Sequence, residues 1–286
     1  PATLQSFKTV DSINKWLTAK QLENQIIGFV PTMGALHEGH LSLINFAKSQ
    51  CDVVIASIFV NPTQFNSLDD LEKYPRSLEN DVRLLIMSNC DGVFVPEVQT
   101  MYPDFPQGTN LLNLDFNGLD DVMEGVYRPG HFNGVANVVF RLFEIINPHK
   151  AFFGEKDYQQ LAIIKTMVNS CQLPIEIIAV ETVREANGLA MSSRNQRLTQ
   201  QGKRNAGIIF ETLNCAKELS QRLEPKEVLE LCKKQFKNSS LELEYIEIVH
   251  PETLRPLSNQ WVNGARCFIA AHCEGVRLID NLELIP

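Results

Sequence analysis

The sequence has no long apolar run, which excludes one broad class of protein. None of its apolar stretches approaches the ~20 residues that a helix needs to cross a bilayer, so we expect no membrane partner. Its first four residues, PATL, are not a basic segment followed by an apolar one, so we expect no secretory signal. Internal repeats and low-complexity tracts are also lacking. With 44% hydrophobic and 21% charged residues among 286, the composition is typical of a globular protein of one or two domains.

Paired cysteine motifs are lacking, which disfavours a disulfide framework and a structural zinc site. The seven cysteines are an odd number, their spacing is scattered, and no C-x-x-C pair occurs. This pattern predicts reduced, mainly structural thiols in a reducing compartment, so we expect a cytoplasmic protein without a structural zinc site. The seven are Cys51, Cys90, Cys171, Cys215, Cys232, Cys267 and Cys273.

Positive charge is in deficit, with 26 Lys and Arg residues against 34 Asp and Glu residues and a formal net charge of −8. The overall electrostatic field therefore does not favour nucleic acid or an anionic membrane, and we expect neither as a partner. An anionic small-molecule substrate would have to be met by a local basic site.

The chain up to about residue 180 alternates between strand and helix patterns. We predict strands at 26–30, 53–59, 93–95, 111–114, 151–153 and 175–180, and helices at 10–17, 40–49, 78–89, 135–146 and 159–170. Continuous β-branched strands that alternate with helices favour a parallel sheet covered on both faces. The carboxyl ends of its strands are then the expected ligand crevice.

The pattern changes after residue 181. A predicted hinge at 182–188 overlaps residues 187–195, which are rich in Gly, Ser and Asn. Beyond them we predict helices at 204–222 and 226–237, strands at 243–249, 266–271 and 276–282, and an antiparallel turn at 272–275. These elements predict a smaller α+β domain.

The most informative segment is residues 31–40 (PTMGALHEGH), between a predicted strand and a predicted helix. Open α/β folds hold phosphates at such junctions, because outward backbone N–H groups and the helix dipole favour an anion. Gly34 and Gly39 allow close backbone approach, and His37 and His40 add side-chain donors. The pattern is neither a Walker loop nor a G-x-G-x-x-G fingerprint, and a capped turn is the alternative interpretation.

Two further polar clusters lie in the first part of the chain. Residues 61–65 (NPTQF) follow a predicted strand, where neutral amides can donate to a carboxylate or hydroxyl. Residues 128–135 (RPGHFNGV) place an Arg and a His at the start of an apolar helix. An ordinary turn is the alternative for the first cluster, and a helix start with an exposed Arg for the second.

Two more clusters come later. Residues 153–160 (FGEKDYQQ) place Lys156 beside a helix N-terminus, with Gln160 one helical turn further on the same face. Asp157 in this segment has a helix cap as its alternative role. Residues 191–195 (MSSRN) combine hydroxyls with a guanidinium, which suits a polyphosphate, and a solvated loop is the alternative.

Taken together, these segments resemble the pantoate–β-alanine ligase family, also called the pantothenate synthetases. The resemblance keeps the same order over at least residues 26–197. It rests on residues 31–44, 61–65, 128–135, 153–161 and 188–195. The two-histidine motif alone is typical only of the wider nucleotidylyltransferase-type superfamily.

The resemblance implies an α/β fold. A Rossmann-like parallel-sheet N-terminal domain, residues 1–182, would bind ATP and pantoate, and a smaller α+β C-terminal lid domain, residues 183–286, would close over ATP. It implies that pantoate attacks the α-phosphorus of ATP, with Mg²⁺ on the phosphates, and that β-alanine then displaces AMP. Positioning and charge stabilisation suffice for this reaction, because the substrate supplies the nucleophile. A cytoplasmic homodimer is also implied.

The resemblance assigns roles to individual residues. His37, His40 and Lys156 are the implied catalytic residues, with His40 the candidate proton donor, and no protein residue is assigned to a metal. Gln64 and Gln160 are implied to hold pantoate. Further contacts near pantoate and the phosphates are implied for Asn61, Arg128 and His131.

The implied ATP-binding residues form three segments and one isolated position. The first segment would bind ATP, the second would line the nucleotide site, the isolated valine would touch the adenine side, and the last segment would close over ATP. These residues are Met33, Gly34, Ala35, Leu36, His37, Glu38, Gly39, His40, Gly154, Glu155, Lys156, Asp157, Val183, Met191, Ser192, Ser193 and Arg194.

Two other functions agree with parts of the pattern. One is a nucleotidylyltransferase that acts on a different small acid or on a phosphate, which the neutral amides of Gln64 and Gln160 disfavour. The other is a non-catalytic nucleotide-binding subunit, which the presence of both histidines, Lys156 and Arg194 disfavours.

Three residues stand apart from these assignments. The family usually has Asp where this chain has Asn187, and Thr where it has Asn137, but neither position carries an implied catalytic role. Asp81 is a weak candidate for a Mg²⁺ ligand, and we expect it instead to be an exposed helical residue.

Overall fold

The computed structural model describes residues 3–286, and Pro1 and Ala2 of the start considered above lie outside the described residues. Within that range no helix is long and apolar enough to cross a membrane. The chain divides into two compact units. The first runs to Asn117 and includes Tyr127–Glu155 and Gln160–Glu181, and the second consists of Gly118–Val126, Lys156–Gln159 and Thr182–Pro286.

The first unit is built on a six-stranded sheet. Its strands are β1 (Gln5–Phe7), β2 (Ile27–Thr32), β3 (Val53–Ile58), β4 (Gly92–Phe94), β5 (Lys150–Gly154) and β6 (Glu176–Val180). They lie in the order β1-β4-β3-β2-β5-β6, and the paired neighbours are parallel. β3 is buried along its whole length, as expected for a central strand covered on both faces.

Helices connect most of these strands and continue through the second unit. α7, the longest helix, is buried along most of its length, which explains its almost entirely apolar sequence. The helices are α1 (Val10–Leu22), α2 (Glu38–Gln50), α3 (Leu68–Lys73), α4 (Leu78–Met87), α5 (Val98–Met101), α6 (Glu124–Tyr127), α7 (His131–Ile146), α8 (Tyr158–Ser170), α9 (Gln200–Ala206), α10 (Ile208–Leu219) and α11 (Pro225–Phe236).

The strand order creates a switch point at the middle of the sheet. β2 lies between β3 and β5, so that the chain builds outward through β3 and β4 on one side and through β5 and β6 on the other. Connections that leave adjacent strands in opposite directions open a crevice at their carboxyl ends. The carboxyl ends of β2 and β5 therefore mark the expected ligand site of this unit.

The strand predicted at 111–114 is wrong, because helix side chains occupy its backbone groups. Asn137 of α7 accepts the N–H of Leu112 at 2.8 Å and donates to the carbonyl of Leu112 at 2.8 Å. Asn133, one turn earlier, accepts the N–H of Leu114 at 3.2 Å. The segment thus runs along α7 instead of joining the sheet.

The second unit contains a three-stranded antiparallel sheet in the order of the chain: β7 (Glu242–Val249), β8 (Arg266–Cys273) and β9 (Val276–Glu283). The turn between β8 and β9 contains Glu274 and Gly275, both with positive φ, as the predicted hairpin requires. The helix predicted at 204–222 corresponds to α10, but its predicted start is wrong. Residues 204–206 belong to α9, which is capped by Gly207, whose N–H bonds to the carbonyl of Arg204 before α10 begins.

Buried polar contacts join two earlier segments, Gly118–Val126 and Lys156–Gln159, to the rest of the second unit. Arg277 of β9 forms a two-pronged ion pair with Glu124, whose carboxylate also accepts the hydroxyl of Tyr245 at 2.7 Å. Gln159 donates to the carbonyl of Leu119 at 2.8 Å. Breaking such buried pairs leaves unpaired charge or unsatisfied groups, so these contacts hold both segments firmly.

The predicted fold class is confirmed. A parallel α/β sheet with helices forms the first unit, and a smaller α+β arrangement forms the second. Strand β1 was not predicted, because two of its three residues, Gln5 and Ser6, are polar and exposed and leave no apolar run.

The contacts of Asn137 give a first testable prediction. Asn137→Ala removes both bonds to Leu112, so we expect the free energy of unfolding to fall by about 1–2 kcal/mol. Urea denaturation followed by circular dichroism measures this change. Asn80→Ala, at an exposed position, is the matched control, with an expected change within about 0.5 kcal/mol. Equal midpoints for the two variants would contradict the clamping role of Asn137.

Candidate active site

Three adjacent parallel strands of the first unit end in polar segments that the sequence singled out. β3 leads into residues 61–65, β2 into residues 33–40, and β5 into Glu155. Because the strands are parallel, their carboxyl ends share one edge of the sheet. This edge therefore gathers most of the predicted site residues of the first unit.

The chain leaves β2 through a turn with two left-handed residues. Gly34 has a φ of 78° and Ala35 a φ of 50°. Ala35 is an L-residue in a region that favours glycine, so its surroundings must hold it there. Thr32 supplies part of this support, because its hydroxyl accepts the N–H of Gly34 at 3.1 Å and donates to the carbonyl of Ser57 at 2.7 Å.

The carboxylate of Asp81, in the first turn of α4, also supports the left-handed turn after β2. Its Oδ2 accepts the N–H of Ala35 at 2.9 Å, and its Oδ1 accepts the N–H of Leu36 at 2.8 Å. The hydroxyl of Ser77 adds a bond to Oδ1 at 3.2 Å. Asp81 is 1% exposed, so the expectation of an exposed helical aspartate is wrong. These bonds compensate the burial of its charge.

The hydrogen bonds of Asp81 also decide whether this residue can be a Mg²⁺ ligand. Both carboxylate oxygens of Asp81 already accept N–H groups of the chain itself. Across residues 3–286, no group of three or more His, Cys, Asp or Glu side chains is arranged to hold a metal ion. The described residues do not fit a protein cage for Mg²⁺, and Asp81 instead supports the backbone of the junction.

The two histidines cap the start of α2 with their ring nitrogens. Nδ1 of His37 accepts the N–H of Gly39 at 3.0 Å, and Nδ1 of His40 accepts the N–H of His37 at 3.1 Å. A backbone N–H can only donate, so both Nδ1 atoms are unprotonated. Each neutral ring therefore carries its proton on Nε2. The ring centroids lie 4.0 Å apart, so the two imidazole rings are neighbours at the start of α2.

Five backbone donors of this junction are already used. The N–H groups of five residues donate to side chains of the protein itself, which corrects the expectation that they point outward to an anion. Side-chain acceptors lie within reach of each group and bind it internally. The junction thus presents imidazole donors on a fixed backbone. The five residues are Gly34, Ala35, Leu36, His37 and Gly39.

The segment after β3 forms a short 3-10 helix, Pro62–Gln64, capped by Asn61. Asn61 is 1% exposed and Gln64 is 7% exposed. Nδ2 of Asn61 donates to Oε1 of Gln64 at 2.9 Å, so two amides of the predicted site lie together. Tyr102, which sequence reasoning missed, donates its hydroxyl to Oδ1 of Asn61 at 2.7 Å.

Helix α7 packs closely against this 3-10 helix. A Cβ on Gly134 would lie 2.6 Å from the carbonyl oxygen of Thr63, so the close approach requires glycine. Nδ1 of His131 lies 2.8 Å from the carbonyl oxygen of Gln64 and must be the donor. Buried His131 thus supports the backbone of Gln64, while Arg128 is half-buried just before α7.

In the second unit, Lys156 lies in the 3-10 helix Glu155–Asp157. The prediction that Lys156 and Gln160 share a helical face is therefore wrong, because α8 begins only at Tyr158. Asn281 of β9 donates its Nδ2 to the carbonyl of Lys156 at 2.8 Å, which fixes the backbone of this residue. Gln160 is half-buried near the start of α8.

Two other predicted ATP residues of the second unit are brought together. The N–H of Met191 donates to the carbonyl of Val183 at 2.9 Å, and Arg184 pairs with Ala190 in an isolated antiparallel bridge. Ser192 then caps the 3-10 helix Ser193–Arg197. The chain therefore folds back on itself between the two predicted positions.

Arg184 holds this hairpin to the rest of the unit. Its guanidinium lies 4.1 Å from the ring centroid of Phe210 and pairs with the carboxylate of buried Asp280. Burial raises the pKa of Asp280, and the hydrogen bonds and charge of Arg184 oppose that rise. Asp280 and its neighbour Asn281 thus hold the hairpin and Lys156 to one strand, β9.

Four supporting residues escaped the sequence analysis in this role, and two of them left a detectable signal. Asp280 shares the buried face of β9 with Val276 and Leu278, and Asp81 shares a buried helix face with Leu85. A charged residue on an apolar face indicates a buried partner. Tyr102 and Asn281 lack such a signal, because neither side chain carries a charge whose burial would require a partner.

Comparison with known proteins agrees with this architecture. The family model described as pantoate-beta-alanine ligase matches residues 5–283. A pantothenate synthetase from Christiangramia forsetii is 46% identical, covering 98% of this chain and 99% of the relative. One from Acinetobacter baumannii is 44% identical, covering 96% of each chain.

Solved structures give the same result. A pantothenate synthetase from Thermus thermophilus is 41% identical with a TM-score of 0.91, covering 99% of this chain and 100% of that one. A pantoate-beta-alanine ligase from Francisella tularensis, solved with beta-gamma ATP and beta-alanine, is 37% identical with a TM-score of 0.82, covering 98% of each chain. The protein described here belongs to the pantoate–β-alanine ligase family.

Proposed function

We propose that the protein joins pantoate to β-alanine in an ATP-dependent reaction that yields pantothenate, AMP and pyrophosphate. The observation that carries this proposal is the edge where β2 and β3 end. There, two imidazole donors follow β2 and a buried pair of amides follows the adjacent strand β3, one set suited to phosphate and the other to a small hydroxy acid. The ligands named for the Francisella tularensis relative, an ATP compound and beta-alanine, support the same reaction.

ATP is assigned to residues 33–40 and 154–157, to Val183 and to residues 191–194. The Nε2–H groups of His37 and His40 donate to its phosphates, and His40 is the proposed proton donor. Lys156 adds a positive charge. Asn281 holds the backbone carbonyl of Lys156 and so fixes the position of this residue. These groups stabilise negative charge that develops on phosphate oxygens, which is the main need of phosphoryl and nucleotidyl transfer.

Pantoate is assigned to Gln64 and Gln160, with Asn61, Arg128 and His131 as neighbouring groups. A carboxylate oxygen of pantoate forms a bond to the α-phosphorus of ATP, and the bond from that phosphorus to the bridging oxygen breaks. Pyrophosphate leaves with the electron pair. The product of this step is pantoyl adenylate, and no residue of the protein is modified.

β-Alanine completes the reaction. Its amine nitrogen forms a bond to the acyl carbon, the bond from that carbon to the phosphate oxygen breaks, and AMP leaves with the electron pair. The nitrogen loses a proton as the amide forms. Mg²⁺ is proposed to arrive with the ATP phosphates, and the homodimer and cytoplasmic location are proposed on family resemblance alone.

Pantoate dependence of ATP–pyrophosphate exchange tests the proposal. We expect exchange of labelled pyrophosphate into ATP only when pantoate is present, and without any need for β-alanine, because the adenylate forms first. A nucleotidylyltransferase for another acid or for a phosphate would ignore pantoate. A non-catalytic nucleotide-binding subunit would show no exchange with any acid. Either of these outcomes would reject the ligase.

Alanine substitutions test the two side-chain donors. His40→Ala and Lys156→Ala are each expected to lower turnover by about 10²–10³-fold, the scale of losing one transition-state donor. Steady-state rates of pantothenate formation measure this loss. Lys165→Ala, which removes an exposed lysine from α8, is the control and should stay within about twofold of the unmodified protein. Near-normal rates for either active-site variant would remove that residue from the mechanism.

Asp81→Asn tests the support of the junction. The variant replaces one acceptor oxygen with a donor that faces a backbone N–H, so Ala35 or Leu36 loses its partner. We expect a loss of about 1–3 kcal/mol in unfolding free energy and a higher KM for ATP. Asp69→Asn makes the same charge change at an exposed site of α3 and should alter neither quantity. An unchanged KM for ATP in Asp81→Asn would show that the junction needs no such support.

A further inference from the structure

The amide of Asn61 can point in only one direction, because two backbone groups fix it. The N–H of Thr63, which can only donate, lies 3.3 Å from Oδ1 of Asn61. The carbonyl of Gly134, which can only accept, lies 3.2 Å from Nδ2. Exchanging the two amide ends would set donor against donor and acceptor against acceptor. These two backbone groups therefore assign the oxygen and nitrogen of Asn61, although their bonds are the longest that this amide makes in the cluster.

Two hydroxyl groups strengthen this direction. Tyr102 donates to Oδ1 of Asn61 at 2.7 Å, and the hydroxyl of Thr63 donates to the same atom at 2.9 Å. Tyr102 is 4% exposed, and burial raises its pKa to about 12, so it remains a protonated donor at neutral pH. The Tyr102 bond is the shortest that Asn61 makes in this cluster.

The direction of Asn61 then determines that of Gln64. Nδ2 of Asn61 is a donor, so the atom of Gln64 that meets it at 2.9 Å must be Oε1. The remaining end of the Gln64 amide is Nε2, with its two N–H donors. The carbonyl of Gln64 is held separately by His131, so the whole residue is fixed at both its backbone and its side chain.

We propose that Tyr102 and Asn61 are positioning residues that orient the Gln64 amide so that it offers N–H donors to the acid substrate. The subsite at Gln64 then accepts an oxygen that lacks a proton, such as a carboxylate or a hydroxyl lone pair. A ligand that presents an ammonium or amide N–H at this position meets a donor and is rejected. This inference rests on the proposed role of Gln64 in binding pantoate.

The fixed orientation of the amide explains how a glutamine, Gln64, can serve a site for a carboxylate. A glutamine at a site for a carboxylate is ambiguous, because a free amide can turn its oxygen toward the anion. A chain of hydrogen bonds from a buried tyrosine removes that freedom in advance, which lowers the ordering needed on binding. The amides thereby gain a substrate preference that neither residue has alone.

A double-mutant cycle tests the proposal in the full-length protein. Tyr102→Phe keeps the aromatic ring and removes only the hydroxyl. We expect it to raise the KM for pantoate by roughly threefold to tenfold, the scale of one hydrogen bond, while the KM for ATP stays unchanged. In a Gln64→Ala background the same substitution should have no further effect, because Tyr102 acts through Gln64.

Tyr245→Phe is the matched control. Tyr245 is also buried, and its hydroxyl also donates over 2.7 Å, but its partner is Glu124. It should lower the melting temperature without changing the KM for pantoate. If Tyr102→Phe behaves like this control, or if its effect adds fully to that of Gln64→Ala, the positioning role is wrong. If Gln64→Ala leaves the pantoate dependence unchanged, the assignment of Gln64 itself fails.

Asn61→Asp provides a second test with a distinctive outcome. An aspartate here offers two acceptors, so Gln64 should turn its N–H groups toward residue 61 and present Oε1 to the substrate. We expect a larger rise in the KM for pantoate than Gln64→Ala causes. Adding Gln64→Ala to Asn61→Asp should then partly restore binding, because it removes the misdirected oxygen. A further loss in the double variant would mean that Asn61 acts by direct contact, which overturns the proposal.

Discussion

The site depends on one pair of hydrogen bonds, in which the buried carboxylate of Asp81 accepts two backbone N–H groups. Asp81 holds Ala35 and Leu36 just after β2, where Ala35 adopts a left-handed conformation that costs an L-residue about 1–2 kcal/mol. Hydrogen bonds to a charged group contribute about 1.5–3 kcal/mol each and offset this cost. With the turn fixed in this way, α2 begins where His37 and His40 can cap it with their Nδ1 atoms.

The same principle recurs in both units. Residues with proposed chemical roles lie on short turns, and buried polar side chains from elsewhere hold those turns through the backbone. His131 does so for Gln64, and Asn281 does so for Lys156. Such support pre-organises donors before any ligand binds, which is how electrostatic catalysis avoids the cost of reorganisation. The proposed reaction needs no covalent catalyst, because the substrate supplies the nucleophile and the protein supplies geometry.

Much of the fold was predictable because parallel strands buried on both faces have nearly continuous apolar sequences, as in β3. Local motifs likewise indicated the junction after β2 and the turn at Asn61. The failures share a physical cause. Asn137 and Asn281 bind backbone groups that are remote in sequence, so neither periodicity nor spacing reveals them. The position of Asp81 on a buried helix face with Leu85 indicates burial, but not which backbone groups it binds. A pattern of one chain segment cannot report which side chain from another segment will occupy its N–H groups.

Protonation of the two imidazole rings is the most direct test of how the junction works. Correlation spectra between ring protons and nitrogens in histidine-labelled protein report which nitrogen carries the proton. For the ligand-free protein at mildly alkaline pH, the structure predicts a proton on Nε2 and none on Nδ1 in both His37 and His40. A proton on Nδ1 of either ring would contradict the capping arrangement, and with it the claim that imidazole groups, not backbone N–H groups, meet the phosphates.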